Sequence, residues 1–95
     1  MDMDKPLHTE KISRNVKCMD ELNDEIANVS KQVQELQNSR STVRLNGSLT
    51  SKEVSILVVG LDLAIMKHER EIFRLKAQLA THKLKFQKET FWQNL

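Results

Sequence analysis

The sequence predicts an all-α fold: a long antiparallel two-helix hairpin, a coiled coil that completes a multi-helix bundle with other chains. Three observations carry that expectation. Apolar residues recur at alternating spacings of three and four through both halves of the chain. Only two Gly and one Pro interrupt 95 residues, and one of those Gly follows Asn46 near the middle. The second half bears two apolar stripes rather than one, whereas a hairpin offers each helix a single partner. The expected division is an N-terminal arm over residues 1–8, helix 1 over 9–44, a turn over 45–50, helix 2 over 51–92 and a tail over 93–95.

The heptad pattern of helix 1 runs from residue 12 to residue 43. One series is Ile12, Met19, Ile26, Val33 and Arg40, and the other is Asn15, Leu22, Val29, Leu36 and Val43. Apart from Asn15 and Arg40 these are apolar and share one face. Glu10, Ser13, Lys17, Asp20, Asp24, Lys31, Gln34 and Asn38 fall on the opposite face and belong in water. The pattern fades over residues 38–42. Asn46-Gly47 then signals a turn, because both residues tolerate positive φ.

The start of helix 2 is well marked. Thr50 is placed to cap it, Glu53 three residues on completes a capping box, and Leu49 and Val54 stand at the spacing of a hydrophobic staple. Its first stripe is Val54, Val58, Leu61, Ile65, Ile72, Leu75, Leu79 and Phe86, with His68 and His82 at two further positions. Folded back, this stripe meets helix 1 in one constant register. Leu36 faces Val58, Val33 faces Leu61, Val29 faces Ile65, Leu22 faces Ile72 and Met19 faces Leu75. The same register sets Ile26 opposite His68 and Ile12 opposite His82.

A second stripe runs through Ile56, Val59, Leu63, Met66, Arg70, Phe73, Ala77, Ala80, Leu84, Gln87 and Phe91. It lies roughly 150° around the helix from the first. Helix 1 has one apolar face and covers only one of the two. An uncovered apolar strip of this length is uncommon on a monomer. The expected interface with other helical chains, identical or different, is therefore Ile56, Val59, Leu63, Met66, Phe73, Leu84, Phe91 and Trp92. Phe91 and Trp92 fit a terminal anchor in a partner's groove, or simple end-capping of the bundle.

Motifs with chemistry are incomplete. Residues 55–62, Ser-Ile-Leu-Val-Val-Gly-Leu-Asp, resemble the strand that leads into the phosphate loop of Arf-type small GTPases. The Gly-rich turn ending in Gly-Lys-Ser/Thr is missing, and Ile65-Met66-Lys67 stands in its place. His68-Glu69 opens like a zinc-protease helix, but position 72 is Ile rather than the second His. His68 and His82 lie about 21 Å apart along a helix, too far to share a metal. Cys18 flanks the seam of helix 1, and the sequence register sets no His beside it. No catalytic residues, cofactor or metal are expected.

With 15 Lys and Arg against 13 Asp and Glu the net charge is +2, which does not point to a polyanion partner for the whole chain. The basic end of helix 2, including Lys76, Lys83 and Lys85, is read as a solvated flank of the seam, or alternatively as a phosphate-tracking face of a nucleic-acid accessory protein. The most apolar run, residues 56–66, is broken by Gly60 and Asp62 and falls short of the roughly 20 residues a bilayer span needs. A single cysteine and the absence of a signal-peptide core make cytoplasm or nucleus the expected address. The expected role is that of a non-enzymatic assembly subunit of a cytoskeletal, kinetochore, chromosome or vesicle-adaptor complex.

Overall fold

The computed structural model describes the backbone of residues 4–93 and the side chains of residues 10–91. Two helices, α1 (Asp4–Leu45) and α2 (Ser51–Gln93), pack as a hairpin, with no strand among the described residues. No helix is long and apolar enough to cross a membrane.

Helix α1 starts five residues before the expected position, so residues 4–8 are helix rather than a separate arm. Pro6 does not prevent this, because the first four N–H groups of a helix have no intrahelical acceptor and a missing one costs nothing. The apolar alternation begins at Ile12, so it gives no signal for the helix that precedes it. At the other end α2 runs one residue beyond the expected limit, to Gln93. Residues 1–3 of the expected arm and Asn94 and Leu95 of the expected tail lie outside the described residues.

The region where the heptads fade stays helical to Leu45. Asn38 is the anchor there: Gln34 Nε2 donates to its Oδ1 at 3.1 Å, and Thr42 Oγ1 donates to its carbonyl at 3.0 Å. The turn forms where Asn46-Gly47 predicts it but for another reason, since no described residue has a positive φ. Asn46 builds it with its own side chain. Its Oδ1 accepts from Ser48 N–H at 2.9 Å, and its carbonyl accepts from Leu49 N–H at 3.4 Å. This is the Asx turn that makes Asn a turn residue without left-handed backbone.

Helix α2 opens on the capping box. Glu53 N–H donates to Thr50 Oγ1 at 3.1 Å, and Thr50 N–H donates to Glu53 Oε1 at 3.2 Å. Two N–H groups left over at the helix start are thereby satisfied. Leu49 and Val54, the staple positions, are both half-buried beside otherwise exposed neighbours.

The chain divides into a unit that holds the turn, Ala27–Phe73, and a unit that holds both ends, Met1–Ile26 with Arg74–Leu95. In the turn-bearing unit Val29, Val33 and Ile65 are buried, and Leu36, Val43, Val54, Val58, Leu61, His68 and Ile72 are half-buried around them. The other unit buries Leu75, Leu79 and Asn15, with Ile12, Met19, Leu22, Ile26, His82 and Phe86 half-buried. Every position assigned to the hairpin seam from the sequence is thus at least half-buried.

Candidate partner interface

The second stripe of α2 faces solvent. In the turn-bearing unit Ile56, Val59, Leu63 and Phe73 are 58–77% exposed and Met66 is 49% exposed. In the other unit Leu84 and Phe91 are more than half exposed. Arg70, Ala77, Ala80 and Gln87, the remaining members, are exposed as well. The side chain of Trp92 lies outside the described residues. Leu57, 46% exposed, lies about 100° around α2 from Ile56, on the flank of the hairpin seam beside Val54 and Leu61. It belongs to neither three-four series, so the heptad reading passes over it. Met66, Glu69, Arg70 and Phe73 enclose a shallow cleft of about 340 Å³ on the strip.

The local cause is the residue period. Positions three and four apart share a face, and α2 carries two such sets on opposite sides. The set with Ile65, Leu75 and Leu79 is used by the hairpin. A large apolar side chain gains roughly 1.5–3 kcal/mol on full burial, and that gain is unrealised at Ile56, Val59, Leu63 and Phe73.

Each unit has a polar contact that joins the arms. Asn15, 7% exposed, donates from Nδ2 to the backbone carbonyl of His82 at 2.8 Å, and its Oδ1 lies 2.6 Å from His82 Nδ1. With the amide assigned this way, the second contact is a hydrogen bond only if Nδ1 carries the proton. The sequence register sets Ile12 opposite His82. Side chains lean toward the N-terminus of their own helix, which carries Asn15 back to the level of Ile12. In the turn-bearing unit Arg40 donates to Asp62 Oδ1 at 2.7 Å, with both side chains about a third to two-fifths exposed. The two polar interruptions of the α1 stripe therefore each meet a specific partner.

Lean also corrects the reading of Cys18. This free, half-buried thiol borders two grooves that His82 borders too, whereas the level-by-level register had set no His beside it. Lys11, Arg14, Lys85 and Glu89 line one of those grooves. His68 Nδ1 is shielded from solvent without a hydrogen-bond partner, and the nearest carboxylate, Glu71, is 3.9 Å away. Among the described residues no group of three or more His, Cys, Asp and Glu side chains is placed to hold a metal ion. Comparison with protein-family models, curated proteins and solved structures finds no match.

Proposed function

We propose that this chain is a non-enzymatic assembly subunit of a larger complex, lending its hairpin to a helical bundle shared with other chains in the cytoplasm or nucleus. The cytoskeletal, kinetochore or chromosome, and vesicle-adaptor assemblies named from the sequence are the settings in which such a subunit serves. The observation that supports this reading is the exposed strip of Ile56, Val59, Leu63, Met66 and Phe73, on the side of α2 away from its own seam. Several large apolar side chains on one face can together outweigh association costs of several kcal/mol.

The test is the double substitution Leu63→Glu with Phe73→Glu. Each places a charge where an apolar contact would form, at a cost no rearrangement of an exposed hairpin face offsets. Light scattering on size-exclusion fractions should show loss of assembly, with helix content by circular dichroism largely kept. A wild-type chain that stays monomeric at high concentration, combined with a double variant that still enters its native complex, would refute the proposal.

A nucleic-acid accessory role is the second reading, favoured by Lys11, Arg14 and Lys85 converging on one groove. Phosphate-driven binding falls steeply between low and physiological salt, whereas burial of an apolar strip hardly changes.

A further inference from the structure

We infer that the occupant of the exposed α2 strip is the same strip of a second copy, running antiparallel; this rests on the assembly reading above. The argument is the order of charges along the two edges of the strip. One edge reads Ser55, Asp62, Glu69, Lys76, Lys83 and Thr90 from N- to C-terminus, acidic first and basic after. The other reads Glu53, Gly60, Lys67, Arg74, Thr81 and Lys88. These edge residues are exposed except Asp62 and Thr90, which are half-buried. An edge acidic at one end and basic at the other complements its own copy only when that copy is reversed.

The strip selects a register that uses this order. In antiparallel helix pairs the alternating core positions of one helix face the complementary set of the other. Setting Leu63 opposite Ala80 of the second copy sets Met66 opposite its Ala77, Val59 opposite its Leu84 and Ile56 opposite its Gln87. Large side chains then meet the two alanines, which explains small residues in an otherwise bulky strip. Arg70, the charged member, lies against Phe73 of the second copy, where a guanidinium can stack on the ring. The cleft of Met66, Glu69, Arg70 and Phe73 falls at the centre of this arrangement.

The edges follow in the same register. Asp62 faces Lys83, Glu69 faces Lys76 and Glu53 faces Lys88 of the second copy, each occurring twice by symmetry. Asp62 already holds Arg40 at 2.7 Å and gains a second cation. One like-charged contact, Lys67 with Arg74, opposes these. Parallel pairing is worse: Arg70 would stack on Arg70 within the strip, Lys83 would meet Lys88, and only Asp62 with Lys67 and Glu69 with Arg74 would be unlike.

Two measurements on the full chain test the inference. In light scattering the wild type should have twice its 11.0 kDa chain mass. Glu69→Lys or Lys76→Glu alone should weaken self-association roughly tenfold, because each places two like-charged contacts in the dimer. The two together should restore it to within about twofold. Parallel pairing predicts no such restoration, since it puts residue 69 against Arg74 and residue 76 against Thr81. Separately, on a Cys18→Ser background, chains carrying Leu63→Cys are mixed with chains carrying Ala80→Cys under mild oxidation. The mixed disulfide should form ahead of either like disulfide. Preferred 63–63 and 80–80 disulfides, or failure of the double reversal, would overturn the antiparallel register. A monomeric wild type whose native complex is lost in Leu63→Glu with Phe73→Glu would overturn the second-copy inference and leave the assembly reading standing. A wild-type dimer unaffected by those two substitutions would overturn both.

Discussion

The two faces of α2 are built from the same kinds of residue and meet opposite fates. Ile65, Leu75 and Leu79 are 2–8% exposed, whereas Leu63 and Phe73, two residues before Ile65 and Leu75 in sequence, are 62% and 77% exposed. Composition does not separate them. What separates them is supply: α1 brings one apolar face, and its outer positions are polar. Hydrophobic periodicity thus reports how many faces a helix is made to bury, and only a census of covering surfaces reveals how many it buries alone.

That contrast can be broken at its strongest point first. Leu75→Ala should cost about 2–5 kcal/mol, as for large-to-small changes at well-packed sites, and urea unfolding should give the same loss at every protein concentration. Phe73→Ala should cost little at high dilution and progressively more as concentration rises, because binding stabilises by mass action. Equal, concentration-independent losses at the two sites would show that the faces do not differ in kind.

The polar interruptions sharpen the comparison next. From the sequence, Asn15 marks a frayed end of the helix 1 seam or specifies its alignment, and Asn15→Leu is expected to raise thermal stability while loosening partner or register choice. The structure points the other way, because the change leaves His82 Nδ1 without its partner and removes an additional donor from the His82 carbonyl, which keeps its intrahelical bond. Asn15→Leu should now cost on the order of 1–2 kcal/mol, the penalty for removing one partner of a sheltered pair. Asn15→Leu with His82→Leu removes both side chains and should recover most of it. A double variant no more stable than the single one would mean that the pair is not the source of the loss.

Gly60 gives a smaller effect of opposite sign. It lies inside α2 with φ in the ordinary range, and a Cβ there would meet nothing within 4 Å. Gly60→Ala should raise stability by about 0.5–1 kcal/mol in thermal or urea unfolding. Smallest is the Arg40–Asp62 pair. Its side chains are 31% and 42% exposed, so removing either partner should cost roughly 0.2–1 kcal/mol. The loss should shrink as salt rises toward 1 M, where the screening length falls to about 3 Å.

Much of this architecture was legible in the residues. The seam positions, the central turn and the capping box of Thr50 and Glu53 follow from spacing and local chemistry, which are one-dimensional signals. The start of α1 at Asp4 was not, because the apolar alternation begins only at Ile12. The turn geometry was misread because Asn and Gly are compatible with more than one turn, and here the Asn46 side chain decides. The meeting of Asn15 with His82, and the bordering of shared grooves by Cys18 and His82, depend on the lean of side chains along the helix, which a register drawn level by level leaves out. The exposed strip was visible as a pattern, but the exposure of Leu57 was not, since it sits outside both alternations.

The short connection has a consequence for molecularity. Only residues 46–50 separate the helices, so the arms meet within one chain, at an effective concentration of order millimolar for so short a link. Gly47 is exposed, and even a Cβ there would touch nothing. A single proteolytic cut at that residue would leave the seam chemistry intact yet turn a first-order folding step into a second-order one. The nicked protein would then come apart on dilution, and each freed α2 would be able to recruit an α1 from a neighbouring molecule.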